Sequence, residues 1–512
     1  MVTKIDSKQV IAEQMNKHFS SVGAKLASKL EKTSTSYRSF MKNPNPHSIF
    51  FESIEYIEIF NLINDLIVRK SVGTDGISPL ILKWAASVLT PYLTVIFNQC
   101  LVEGVYPNIL KQARVTPVLK KGEDKNNISS YRPISILTQL NRIFEKLLYD
   151  RLFGFFVKHN ILSKKQFGFQ PKHNTQHAIL DLKEHILKNV EKKLVSCILF
   201  LDLKKAFDSV HHNTLLGKLE HYGIRGVALK LLTSYLTNRN QMTLVDGCLS
   251  ALCLIEWGVP QGSVLGPLLF LIFINDLPLA SNLHTWLFAD DSVFVQSAKS
   301  ARDLDYLMNV EVAKIQSWLL ANKLSAHYVD KSKFMLIDLT TPKSYPHKEF
   351  QLYMGGLRIS RTKTYKYLGV HIDDKMTWKH HIEKLCKKLS SVAGIIYRIR
   401  NRLSRKCLML IYHGLVSSRL RYGILCWGTA TKTLLNKLNV IHNRVVRNIT
   451  YNNRRASAGP IYKSLDILPL NGLLLCEQAK FIYQYTNNML PSVFNNYLNR
   501  PDHNHNTRYT TN

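Results

Sequence analysis

LFADDSVFV, Leu287 to Val295, is the stretch on which the fold turns. Two adjacent carboxylates, Asp290 and Asp291, interrupt apolar flanks rich in strand-forming residues. That pattern predicts a tight β-hairpin with the acids at its tip. Neighbouring carboxylates beside a dry sheet repel by roughly 4 kcal/mol at about 4 Å and an effective dielectric near 20. Such a pair persists where cations neutralise it. The chain supplies its own control in Asp373 and Asp374. KMTWKHHIEKL follows them, a polar turn and helix start, and helix capping is reason enough for those two acids.

Working upstream, SCILFLDL (Ser196 to Leu203) reads as a second very apolar strand, ending at Asp202 and followed by KKAFDSV. Inside the strand a carboxylate would be costly unless paired, so a strand end that faces the sheet edge is its natural place. A helix N-cap is the ordinary alternative. Between the two strands lie a helical segment and GVPQGSVLGPLLFLIF, a turn feeding a buried helix. Its most apolar run, Val264 to Asn275, is shorter than the roughly 20 residues of a membrane-spanning helix, and it contains a proline and ends at Asp276.

The first sixty residues read as amphipathic helix, broken by Pro and Asn at Asn43 to His47. From Asn61 to about Asp181, helical stretches alternate with Gly/Pro turns and basic loops such as LKKGEDKNN. Beyond Lys375 the pattern becomes helical and basic, with seventeen Lys/Arg and one acid, Glu383, between Lys379 and Arg455. Aromatics at Tyr397, Tyr412, Tyr422 and Trp427 are interleaved with those charges, as a grip on a nucleic-acid duplex requires. The 512 residues are 46% hydrophobic, enough for a large core, and carry a formal net charge of +32. Nucleic acid is the commonest partner of such a field, ahead of an anionic membrane. Eight scattered cysteines form no CxxC pair, which predicts reduced, mostly buried thiols in an intracellular protein. The N-terminus shows no apolar signal core.

FLDLKKAFDSV, GVPQGSVLGPLLFLIFINDL and FADD, in that order, resemble motifs A, B and C of non-LTR (LINE-type) retrotransposon reverse transcriptases, nearest the jockey- and CR1-like clades. Upstream, SVGTDGISPLIL, ARVTPVLKKG, YRPISIL and QFGFQPKHNT resemble the fingers motifs of that family, and downstream KYLGVHID its primer-grip hairpin. The likeness runs from about residue 10 to about residue 495.

The resemblance implies an α+β right-hand polymerase with fingers, a ferredoxin-like palm and a helical thumb. Expected boundaries are an N-terminal helical extension over 1–60, fingers and palm over 61–375, and a basic thumb and C-terminal region over 376–512. It implies RNA-directed DNA synthesis on an RNA template from a DNA primer, with dNTPs as substrates. Asp202, Asp290 and Asp291, with the backbone carbonyl of Leu203, would hold two Mg²⁺, for which Mn²⁺ can substitute. Phe207, five positions after Asp202, resembles the gate that closes against a ribose 2′-hydroxyl; core packing is its ordinary role. Gln261 and Gly262 resemble the pair that touches the nucleotide and lets template backbone approach. Lys120, Lys121 and Arg132 resemble triphosphate-binding cations, with a solvated loop as the plainer role, above all for Lys121. Lys331 looks like the motif D lysine that protonates pyrophosphate.

Departures from the family are the extra residue in LSAHYVDKS near Tyr328, Gln170 in place of arginine, and His211 where aspartate is common. The tandem His211–His212 is expected to be a helix-surface pair rather than a metal site. Neither the family's endonuclease nor its zinc knuckle has a match, so an endonuclease would act from elsewhere, alongside the element RNA. The tail ends at HNTRYTTN, where relatives continue, which suggests a shortened copy. No membrane is expected, and activity implies the nucleus. The rival readings are a catalytically silent nucleic-acid-binding remnant and an intron-maturase-like cofactor, which would need an added domain.

Overall fold

The computed structural model describes residues 8–69, 71–339, 350–495 and 497–498. The closing HNTRYTTN lies outside them. The fold is mixed α/β, and the strand at its centre explains itself from sequence. We number the strands β1 (Gln112–Leu119), β2 (Tyr131–Ile136), β3 (Val195–Asp202), β4 (Arg239–Val245), β5 (Cys248–Leu249), β6 (Cys253–Ile255), β7 (His284–Phe288), β8 (Asp291–Ala298), β9 (Lys333–Ile337), β10 (Leu352–Met354), β11 (Leu357–Arg361), β12 (Thr364–Tyr367) and β13 (Val370–Asp373).

β3 is apolar without alternation because both its faces are covered. Cys197, Leu199 and Leu201 enter one hydrophobic core, shared with the helices Gln139–Lys158, Leu265–Phe273 and Ala301–Ala321. Ile198 and Phe200 enter a second core, shared with the helix Thr175–Glu191 and the C-terminal helices. Successive side chains on a strand point to opposite faces, so a strand between two cores has no position for a charge until it ends, and its buried hydroxyl, Ser196, is satisfied by Ser297 at 2.7 Å. The sheet runs β10-β11-β9-β3-β8-β7, with β3 antiparallel to both β8 and β9.

A smaller sheet, β2-β1-β4-β5 with β6 also on β4, carries the basic loop between β1 and β2. β1 pairs with β4 in parallel across more than a hundred residues of chain. This strand pairing was not legible in the sequence. The helix Lys8–Ala27 packs on that sheet: Met15 and Phe19 cluster with Val115, and the Asn16 amide donates to the carbonyls of Gln241 (3.3 Å) and Ala251 (2.8 Å). The expected amphipathic helix is therefore present, ending at Ala27, well before residue 60.

The buried helix Leu265–Phe273 is fastened at both ends. Glu145 accepts the Val264 N–H at 2.6 Å at its start. Just past its end, the fully buried pair Lys218–Asp276 closes at 2.5 Å, with the Trp318 indole donating to the other Asp276 oxygen at 3.0 Å. No helix among the described residues is long and apolar enough to cross a membrane. All eight cysteines are free, but only Cys100, Cys197 and Cys426 are buried and Cys407 is exposed, so the expectation of mostly buried thiols is corrected.

Candidate active site

Antiparallel pairing brings the predicted carboxylates to one edge. Asp202, the last residue of β3, stands opposite Asp291, the first of β8. Phe288 and Asp291 close the β7–β8 hairpin, leaving Ala289 and Asp290 as a two-residue tip. Ala289 has φ +55°, a conformation usually left to glycine at the first position of such a turn. The turn is held from outside. Gln166 Oε1 accepts the N–H groups of Gly168 (2.8 Å) and Ala289 (3.0 Å), and Phe167 N–H donates to the Leu287 carbonyl at 2.7 Å. A side chain at Gly168 would place its Cβ 2.5 Å from the Ala289 nitrogen. QFG thus acts as a clamp that presents Asp290.

The electrostatics follow from this crowding. Burial first, and then the charge of Asp202, raise the pKa of Asp290, with Arg132 acting against the shift. Burial together with Asp290 and Asp202 pushes Asp291 up to about 6. Asp202 has a cation in reach: Lys331 Nζ lies 3.6 Å from its Oδ2. Its carbonyl accepts the His327 N–H at 2.8 Å, while Lys204 N–H donates to Ser325 at 2.8 Å. That bonding pattern turns the Leu203 carbonyl away from Ala326, towards the β8 side.

A cavity of about 720 Å³ gathers most of the predicted site: Asp202, Leu203, Asp290, Phe207, Gln261, Lys120, Arg132 and Lys331 all line it. Asp291 and Gly262 do not, and Lys121 is an exposed loop residue outside it. Phe207 is half-buried, stacked on Phe270 at 4.6 Å and edge-on to Phe169 at 6.3 Å, so it is at once a packing residue and a wall of the cavity. Gln261 Nε2 donates to Asp208 Oδ1 at 2.8 Å. The other Asp208 oxygen has no hydrogen-bond partner among the described residues, and burial pushes that carboxyl to about 6. Gly262 (φ +122°) is demanded by the chain itself, because a Cβ there would sit 2.6 Å from the Ser135 carbonyl of β2.

The residues fit hard divalent cations. Among the described residues no three His, Cys, Asp or Glu side chains converge into a ready-made cage. The donors are carboxylates, two of them carrying raised pKa values, and one backbone carbonyl. Mg²⁺ characteristically takes one or two carboxylates and completes its shell with water and substrate phosphates.

The reverse transcriptase (RNA-dependent DNA polymerase) family model matches residues 118–372. Those residues form a reverse transcriptase domain. Relatives include the probable RNA-directed DNA polymerase from transposon BS of Drosophila melanogaster, 30% identical over 80% of this chain and 46% of that protein. The RNA-directed DNA polymerase from mobile element jockey of the same fly is 28% identical over 80% and 45%. The Pol polyprotein of the type-1 element R1 from Bradysia coprophila is 25% identical over 78% and 39%. The chain thus spans about half the length or less of these relatives, and the family resemblance read from the motifs, of non-LTR type, holds.

Several residues of the candidate site escaped the sequence. Gln166 was visible only as part of a motif. Lys205, with φ +46°, donates to the carbonyls of Ser129 (3.2 Å) and Tyr131 (3.0 Å), tying the turn after Asp202 to the basic loop. The histidine pair is corrected: neither is a plain surface residue. His212 is buried with Nε2 2.8 Å from the Gly258 carbonyl, and His211 caps its helix and packs on Trp257 at 4.6 Å. The β12–β13 hairpin comes to the site through Tyr365, stacked on Phe200 at 4.0 Å. Asp373 behaves as the control requires, accepting the N–H groups of Lys375, Thr377 and Trp378 at 3.2, 2.9 and 2.7 Å.

Proposed function

We propose that this chain is an RNA-directed DNA polymerase that extends a primer 3′-hydroxyl with deoxynucleotides on an RNA template. The six-stranded sheet serves as palm, the β1–β2–β4 sheet as fingers, and the helices after Lys379 as thumb. The observation that carries this reading is Asp202 facing Asp291 across β3 and β8, with the clamped Asp290 beside them at the edge of a cation-lined cavity.

Asp202, Asp290 and Asp291, with the Leu203 carbonyl, would hold two Mg²⁺ ions, which lower the pKa of the attacking hydroxyl and neutralise the leaving pyrophosphate. The rest falls to the chain. The hydroxyl gives up its proton to solvent water, its oxygen bonds to the α-phosphorus, the bond to the bridging oxygen breaks, and pyrophosphate leaves. Arg132 and Lys120 hold the phosphates, Arg132 through its planar fork. Gln261, oriented by Asp208, borders the nucleotide, and Phe207 fills the space a 2′-hydroxyl would need. Lys331, resting against Asp202, is placed to give a proton to the departing pyrophosphate. Beyond the palm, a cavity of about 770 Å³ between the helices Lys379–Ile399 and Lys432–Ile449 is lined by Arg400, Arg444, Arg447 and Arg454, suited to a phosphate backbone.

Primer extension on homopolymer RNA tests the proposal. Asp202→Ala and Asp290→Ala should each lose at least about a hundredfold in rate, several kcal/mol of transition-state stabilisation, while binding an RNA–DNA hybrid nearly as wild type. Extension at a near-normal rate by Asp290→Ala would leave the polymerase reading without its centre.

A further inference from the structure

The helix Lys8–Ala27 reaches the same cavity from the far end of the sequence. It is set firmly there: Val22 is buried, and a Cβ on Gly23 would lie 2.2 Å from the Asp208 carbonyl oxygen, so the helix backbone touches the turn that follows Asp202. The last turns of the helix and the residues after it bring His18, Lys25, Leu26 and Lys29 into the lining. Seven lysine and arginine side chains line this cavity against three carboxylates, Glu123, Asp202 and Asp290. Among the described residues the ion pair within it is Lys331 with Asp202.

The surplus is felt locally. Burial, and then the positive charge of Lys120, lower the pKa of Lys205. Burial, and then Lys205 and Lys25, lower that of His18. Lys25 and the catalytic turn therefore act on one group and share one field. A lysine in the last turn of a helix complements the helix dipole wherever it points. That accounts for Lys25 but not for Lys29, which lies beyond the helix end and lines the same space.

We propose that Lys25 and Lys29 bind the terminal phosphates of the incoming nucleoside triphosphate and the pyrophosphate it becomes, making the N-terminal helix the outer half of the polyphosphate site. This rests on the polymerase reading, which puts the sugar at Phe207 and the α-phosphate at the aspartates. The β- and γ-phosphates then extend away from Phe207, and a chain of three or four negative charges needs cations along its whole length. Lys120 and Arg132 serve the inner part, and the helix lysines serve the outer.

The test uses the full chain, comparing wild type, Lys25→Ala/Lys29→Ala and Lys25→Arg/Lys29→Arg. The readouts are product inhibition by inorganic pyrophosphate, the KM for dNTP, and the affinity for an RNA–DNA hybrid. Exposed charge contacts are each worth a few-fold in binding, so the alanine pair should weaken pyrophosphate inhibition about tenfold and raise KM more than it lowers kcat. The arginine pair should stay near wild type. Unchanged pyrophosphate inhibition in a folded alanine pair overturns the proposal. So does weaker hybrid binding with unchanged inhibition, which would make these lysines nucleic-acid contacts. Calorimetric titration of Asp202→Asn with magnesium pyrophosphate, with and without the lysine changes, separates the two claims. Lysine-dependent binding in a chain whose wild type extends no primer would sink the polymerase reading and leave the phosphate site standing.

Discussion

Replacing Gln166 by methionine keeps most of the side-chain volume and removes the one oxygen that holds the hairpin tip. Oε1 accepts two N–H groups, from Gly168 and Ala289, and both Gln166 and Ala289 are almost completely buried. An orphaned buried donor costs about 1–3 kcal/mol, and the left-handed Ala289 loses the contact that holds it against strain of about 1 kcal/mol or more. Partial relaxation of the tip offsets some of this, so a loss of about 2–4 kcal/mol in unfolding free energy is expected, read from urea denaturation. The larger effect should be catalytic. With the tip free, Asp290 no longer holds its place beside Asp202 and Asp291, and primer extension per folded molecule should fall at least about tenfold, since small misplacements of reacting groups are costly. Gln166→Glu is the sharper companion. The glutamine Nε2 has no hydrogen-bond partner among the described residues, so glutamate keeps both accepted bonds and adds a negative charge near the aspartates. It should retain more stability than methionine while requiring more Mg²⁺ for half-maximal rate. A methionine variant with wild-type stability and rate would refute the clamp.

Phe207→Val should admit ribonucleotides far better than wild type in single-nucleotide addition. Because Phe207 stacks on Phe270, truncation should also cost about 1–3 kcal/mol of stability, and equal use of both sugars by wild type would reduce it to a packing residue. Asp373→Ala should leave kcat per folded molecule intact yet lower stability by about 2–3 kcal/mol, because it strips the cap from three backbone N–H groups; a large loss of kcat at full stability would make it part of the site. The raised pKa values of Asp290 and Asp291 mean that the folded chain keeps protons the unfolded chain has released. Without divalent ions, stability should therefore fall as pH rises from about 4 through about 6 and level off above that. In thermal melts with chelator, Asp291→Asn should flatten that fall and melt higher than wild type at pH 7, and identical profiles would show that the carboxylates do not crowd one another.

Much of this site is legible in the amino-acid sequence, for a physical reason. Asp202 and the Asp290–Asp291 pair are placed by apolar strands so continuous that only an end can take a charge, and a violation of that kind stands out in a sequence. Asp373 was equally legible, because a cap depends on the few residues after it. What stayed hidden depends on distant partners. Gln166 is informative only once Ala289 is beside it, and Lys205 only once the Ser129–Tyr131 backbone arrives. The histidine pair looked like a helix surface because nothing local announces the Gly258 carbonyl or the Trp257 ring. β4 looked unremarkable because its pairing with β1 is parallel and remote. Asp276 read as the polar end of an apolar run, since a sequence cannot show that Lys218 is buried with it.

The helix Lys8–Ala27 is made well before the residues that cover it. Its Met15, Asn16 and Phe19 find partners on β1, β4 and Ala251, so its apolar side stays uncovered until residue 255 or so has left the ribosome. At the usual pace of synthesis that wait is roughly 10–45 s, long against the microseconds in which a helix forms or melts. During it the nascent chain offers an open amphipathic helix to any chaperone or membrane surface nearby. A chain begun after Ala27 would keep every aspartate of the centre while losing the support of β4 and one wall of the pocket, so its expected failure is in folding yield and nucleotide affinity rather than in chemistry.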